Sequence, residues 1–246
     1  MIRKFFMKAL CGAGLAAVVL VPALAQERPR LGIFVTPVPN VPLSATAIFE
    51  DSRPLADGTT ERLKSTGNIA RDSSGRIYNE RRQFVPLNFA GTPRLFSSHI
   101  YDPATRLSTF WGPGQHIARQ SKQSGVGPDW EQMPGLPSAP PSIPGREPPV
   151  RQEDLGTQVM ENIVVRGVRI TRPVPPALRG TGQPVVVTQE FWYSDDLHLN
   201  LLVKRNDPRT GEQTMTLTQI KRGEPDPQLF VIPADYKVVD ETPPEQ

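Results

Sequence analysis

The chain has 246 residues, 28 Lys and Arg against 25 Asp and Glu, and one cysteine, Cys11. The first 25 residues hold three of the bases and no acid, so the remainder balances at 25 against 25, which removes any global charge argument for nucleic acid or an anionic surface. Without Cys11 the rest of the chain has no thiol, which excludes disulfides, thiol catalysis and cysteine-ligated metals there.

Residues 1–25 read as a secretory signal. Arg3, Lys4 and Lys8 open it, Ala9 to Val21 is apolar, and Ala23-Leu24-Ala25 offers a cleavage site before Gln26. The apolar run is about 13 residues, short of the roughly 20 that a membrane helix needs. Cys11 follows Leu10 inside the apolar run rather than the cleavage site, so lipidation is not expected. The expectation is a periplasmic or secreted protein with no membrane span after cleavage.

Residues 26–41 form an extended leader containing Pro29, Pro37 and Pro39. From Pro42 the pattern alternates: Leu43, Ala45, Ala47 and Phe49 against Ser44, Thr46 and Glu50, the signature of a half-buried strand. Leu55-Ala56-Asp57-Gly58 and Asp72-Ser73-Ser74-Gly75 are turn sequences that divide residues 42–85 into a three-stranded meander. Leu95 to Tyr101, Arg106 to Trp111 and His116 to Gln120 follow as strands, parted by Asp102-Pro103-Ala104-Thr105 and Gly112-Pro113-Gly114.

Residues 125–152 are a Pro-rich loop or linker, because proline removes ladder donors and favours extended conformations. Order returns with a hairpin over Leu155 to Thr171, then Val185 to Tyr193, the strongest strand by residue type. Ser194-Asp195-Asp196 turns it, and Leu197, Leu199, Leu201 and Val203 alternate with His198, Asn200 and Lys204. Another turn at Asn206 to Gly211 precedes a strand over Glu212 to Ile220. The tail to Val239 carries enough apolar residues to dock, and 240–246 is read as a disordered end. The expected fold is mainly β: a curved antiparallel sheet, a half-barrel-like meander of about 8–10 strands with little helix. Residues 42–124 and 153–239 supply its two parts.

No catalytic, metal or cofactor pattern stands out. His99, His116 and His198 make neither His-x-His nor His-x₃-His. Asp196 and His198 could share a face, but Asn200 and Lys204 mark that face as solvated; a hydrolase using this pair is the third reading. Glycine loops leading into a helix and G-x-S-x-G are absent from the sequence. Arg62, Lys64, Arg76 and Arg82 form a candidate basic face for an envelope protein or polymer, the plainer reading being a solvated sheet face paired with Glu61, Asp72 and Glu80. The run Phe191-Trp192-Tyr193 would make both faces of its strand apolar or covered.

Several segments carry a resemblance. Glu190-Phe191-Trp192-Tyr193-Ser194, Asp207-Pro208, Ile220 to Phe230 and Ile232-Pro233-Ala234-Asp235-Tyr236, with Leu55 to Gly58 and Arg71 to Arg76, resemble an uncharacterised family of secreted bacterial proteins. The ending is also similar to periplasmic lipoprotein carriers, which wrap an incomplete barrel around an acyl chain under lid helices. This chain differs in lacking lid helices and in carrying the Pro-rich insert. Together with the doubly apolar strand at Phe191-Trp192-Tyr193, this resemblance leads to the expectation of a non-enzymatic binding module without a cofactor, holding a lipid or other apolar ligand, or a partner segment, against Phe191, Tyr193, Leu197, Leu199 and Leu201. The alternative is an envelope structural protein using the basic face.

Overall fold

A computed structural model describes residues 35–123, 150–174 and 185–243. The expectations for the signal, for Cys11, for most of the leader and for most of the Pro-rich segment lie outside those residues. The chain forms β1 (Leu43–Pro54), β2 (Thr60–Arg71), β3 (Ile77–Arg82), β4 (Val85–Pro86), β5 (Leu95–Asp102), β6 (Leu107–Trp111) and β7 (Ile117–Lys122). It continues with β8 (Arg151–Met160), β9 (Ile163–Val174), β10 (Val185–Ser194), β11 (Leu199–Asp207), β12 (Gly211–Arg222) and β13 (Lys237–Asp240). Among the described residues one 3₁₀ turn, Pro227–Phe230, is the helical element.

All thirteen strands belong to one open, curved sheet, in the order β13-β7-β6-β5-β3-β2-β1-β12-β11-β10-β9-β8, with β4 paired to β2. Every pairing is antiparallel except β13 on β7. The chain therefore starts in the middle at β1 and walks outward to β7. It re-enters at the far edge with β8 and walks back until β12 meets β1 over Leu43 to Ser52. The two sequence halves are one sheet, joined by a pairing between residues about 170 positions apart that no local pattern announces.

Aspartates build the turns. Asp72, which is buried, accepts from Ser74 N at 3.0 Å, Arg76 N at 2.9 Å and Arg76 Nε at 2.6 Å. Burial works to raise its pKa, but these donors outweigh it and hold the carboxyl below its ordinary value. Asp102 and Asp207 repeat the device on Ala104 N and Arg209 N. Each turn then needs a left-handed residue: Gly75, Arg106 and Gly211 have φ of 86°, 61° and 96°. Gly211 is obligatory, since a Cβ there would lie 1.8 Å from the Ser52 carbonyl oxygen.

Two cores result. The larger gathers Leu43, Ala45, Ala47, Ile69, Ile77, Leu199, Leu201, Met215 and Leu217 on one face. The smaller puts Tyr78, Ile100 and Trp111 under Phe230, Leu229, Ile232 and Tyr236 of the tail. Burial of each large aliphatic side chain among them contributes about 1.5–3 kcal/mol. The tail is further fixed by Tyr236 Oη donating to Gly112 O at 3.1 Å, His116 Nδ1 against Asp235 at 2.7 Å, and the β13–β7 ladder.

Candidate functional site

Neighbours across a sheet share a face, so the register shows what each face carries. Ser65, Phe49, Met215, Val203, Phe191 and Val168 lie opposite one another in turn across β2, β1, β12, β11, β10 and β9. Five of the six are apolar. One step along the strands, on the same face, the row becomes Asp51, Gln213, Arg205, Gln189 and Ile170. An apolar stripe thus borders a polar one. Gln213 Oε1 is buried without a hydrogen-bond partner among the described residues, as is Asn200 Oδ1, opposite Tyr193.

The other face differs. Lys64, Glu50, Thr214, Lys204, Glu190, Arg169 and Glu153 follow one another across the strands. Arg169 bridges Glu190 at 2.7 Å and Glu153 at 2.8 Å, and Lys204 meets Glu212 at 3.0 Å. A shallow, polar depression opens between Arg169, Lys204, Thr171 and Thr188. At Phe191-Trp192-Tyr193 itself, where both faces are expected to be apolar or covered, Trp192 lies opposite Leu202 and packs against the larger core, and the charged row runs one step away through Glu190. Phe191 and Tyr193 face the apolar side, while Glu190 and Thr188 face the charged side. Trp192 also belongs to that side and lies over Gly167, where a Cβ would approach its ring to 2.6 Å.

The five candidate ligand residues are brought into one neighbourhood. Leu197, Leu199, Leu201 and Tyr193 are buried, and half-buried Phe191 packs on the same cluster. Leu201 is skipped in the β10–β11 register, which shifts between Trp192 and Tyr193. Leu197 and His198 stand in the turn before β11 and not in the strand, His198 with φ 52°. That turn folds over the apolar face far enough for Leu197 O to accept from Arg71 Nη2 at 2.7 Å, across β12 and β1.

Arg71, on β2, lies outside the candidate basic face, and nothing in its sequence neighbourhood marks it as special. It is fully buried and donates from Nε to Val41 O and from Nη1 to Thr36 O, both at 2.8 Å. Burial lowers its pKa to about 10, with the nearby Tyr193 hydroxyl opposing. Arg71 thereby ties the segment before β1 and the β10–β11 turn to the middle of the sheet.

Of the basic residues, Arg62 and Lys64 stand on the charged face opposite Ser52 and Glu50. Arg76 is held by Asp72 and lies 4.9 Å over the Phe230 ring. Arg82 pairs with Glu80 at 2.9 Å and donates to Pro93 O. Asp196 is bridged to Arg222 at 3.1 Å. His99 stacks on Phe110 at 4.0 Å with Nε2 2.8 Å from Ser108 Oγ, and burial, then Arg81, lowers its pKa to about 4. Among the described residues no cluster of three or more His, Cys, Asp or Glu could hold a metal, and no helix is long and apolar enough to cross a membrane.

No family model and no curated protein matches the chain. Solved structures similar to it include Pseudomonas aeruginosa MucB in complex with MucA, at TM-score 0.37 and 12% identity over 81% of this chain and 58% of that one. Others are LprF from Mycobacterium bovis (0.32, 12%, 79% and 90%) and a LolA superfamily protein from Nitrosomonas europaea (0.31, 10%, 79% and 91%). This chain spans 58% of the length of that MucB chain. Likenesses this distant carry no argument about ligand or activity.

Proposed function

We propose that the protein is an exported, non-enzymatic binding module, periplasmic or secreted, that holds a lipid or other apolar ligand on the apolar face of its sheet. The observation that carries this reading is the continuous row Phe49, Met215, Val203, Phe191 and Val168, contributed by five neighbouring strands. Leu197, Leu199 and Leu201 belong to the same core cluster as Met215 and Val203, and buried Tyr193 follows Phe191 on that face two residues along β10. The row spans five strands, roughly 20 Å at the usual strand spacing, with Met215, Val203 and Val168 buried and Phe49 and Phe191 partly exposed, so these two aromatics are where an acyl chain would first make contact.

The bordering row of Asp51, Gln213, Arg205 and Gln189 supports an amphipathic ligand over a plain hydrocarbon. Buried acceptors without partners are costly, and a ligand hydroxyl or ammonium would satisfy Gln213 or Asn200. Fluorescent fatty-acid titration of delipidated protein tests the reading. Saturable binding, weakened about tenfold or more by Phe49→Ala with Phe191→Ala, is the expected outcome. No probe binding, or binding indifferent to the two changes in a folded variant, defeats it.

A further inference from the structure

The large apolar side chains left in solvent are not scattered evenly. The hairpin β1–β2 turns through Leu55, and β4 runs toward the same end of the sheet, because Val85 and Pro86 pair with Lys64 and Leu63. The loop beyond β4 carries Leu87 and Phe89, and β5 begins at that end with Phe96. These four residues are 41%, 39%, 41% and 74% exposed. Leu55 sits in the β1–β2 turn, Leu87 and Phe89 in the loop after β4 and Phe96 at the start of β5, so all four stand along the same end of the sheet, the rim running from β5 past β3 and β4 to β2 and β1.

Basic residues accompany them. Exposed Arg62, Arg81 and Arg94 lie in the same end of β2, at the end of β3 and just before β5. Arg53 and Arg82, nearby, are engaged by Glu61 and Glu80. Arg62, Arg81 and Arg94 take no part in the ion pairs among the described residues. The rim therefore combines apolar tips with cations that remain available.

We propose that this rim docks the protein on an anionic phospholipid surface, the apolar tips entering the acyl boundary and the arginines meeting the headgroups. Exposed apolar clusters of this kind mark interaction sites, and apolar plus basic side chains on one edge suit an interfacial lipid layer. A protein partner would need a groove or complementary shape, whereas these residues stand on separate loop tips and strand starts, an arrangement that a fluid surface accepts. The inference stands apart from the ligand reading, since the rim lies beyond the stripe through Phe191.

Flotation with vesicles of phosphatidylcholine and phosphatidylglycerol in equal parts, against phosphatidylcholine alone, tests it. The protein floats with the anionic vesicles, less so at high salt, and Phe89→Ser with Phe96→Ser lowers the partition at least about tenfold. Val159→Ser with Val164→Ser, equally exposed at the opposite end, leaves it unchanged. Phe96, Val159 and Val164 stand mostly in solvent and Phe89 is 41% exposed, so both variants should remain folded, as thermal unfolding checks. No flotation, salt-independent flotation, or equal loss in the control pair overturns the proposal; so does retention by an acidic peptide matrix without vesicle binding.

Discussion

Replacing Arg71 with Met should be among the most damaging single changes in the protein. The guanidinium is fully buried and donates to three backbone carbonyls, at 2.7–2.8 Å, from Thr36, Val41 and Leu197. Methionine fills most of the volume and removes the cost of burying a cation, but it leaves the Val41 and Leu197 carbonyls without a donor, whereas Thr36 O keeps Val38 N at 2.8 Å. An orphaned buried acceptor costs about 1–3 kcal/mol. Allowing for the recovered desolvation and some access of water, the net loss is about 2–4 kcal/mol. For a chain of this size each kcal/mol lowers Tm by roughly 2–4 °C, so Tm should fall by roughly 4–16 °C. Arg71→Lys, which keeps the charge but not the fork, should lie between. The folded pKa, about 10, lies below the ordinary 12.5, so any titration effect is confined to alkaline pH above about 10 and a neutral-pH melt reads only hydrogen bonding and packing. Urea and thermal unfolding at pH 7 are the assays, with hydrogen exchange over residues 35–41 as a local readout. A loss under about 1 kcal/mol, with residues 35–41 still protected, would refute the hub described here.

Other substitutions separate further parts of the account. Gly167→Ala pushes a methyl into the Trp192 ring and should cost about 1–3 kcal/mol while shifting tryptophan emission, and unchanged stability and spectrum would show that the ring is free to leave. Gly211→Ala combines a left-handed φ with a clash on the Ser52 carbonyl, so a loss on the order of 3 kcal/mol or more is expected, read by urea midpoint. His99 has a folded pKa, about 4, below its ordinary 6.5, so the unfolded chain takes the proton first and stability falls as pH drops from about 6.5 toward 4. The groups facing His99 are Phe110, Ser108, Asn79 and Arg81, none of them acidic, and His99→Gln should flatten that part of the pH–Tm curve. Asp72 and Asp207 are held low and contribute their loss only as pH falls through and below 3.8, so the two effects separate.

Local chemistry made much of this sheet legible. The alternation of Leu43, Ala45, Ala47 and Phe49 is β1, and the aspartate turns at Asp72, Asp102 and Asp207 stand where their side chains bond the next amides. The strand count rose to thirteen because β4 and β13 are too short to show a period and pair only through the fold. Arg71 escaped notice because its role depends on Thr36 and Leu197, which are brought to it from elsewhere in the chain. The covering of Trp192 is hidden in the same way: Gly167 makes room for its ring and Leu202 lies opposite it, while the charged row one step along joins Glu190, Lys204 and Arg169, which meet only through the register. Period-two patterning reports that two faces exist; the register, set across strands, decides what covers each.

A ligand on the apolar face is read out by expressing the full chain, residues 1–246, and recording a native mass spectrum before and after organic extraction. An added mass of lipid size that extraction removes, and that Phe49→Ala with Phe191→Ala diminishes, is the expected result. A single mass corresponding to the bare chain, in protein that also takes up no acyl probe afterwards, would contradict it.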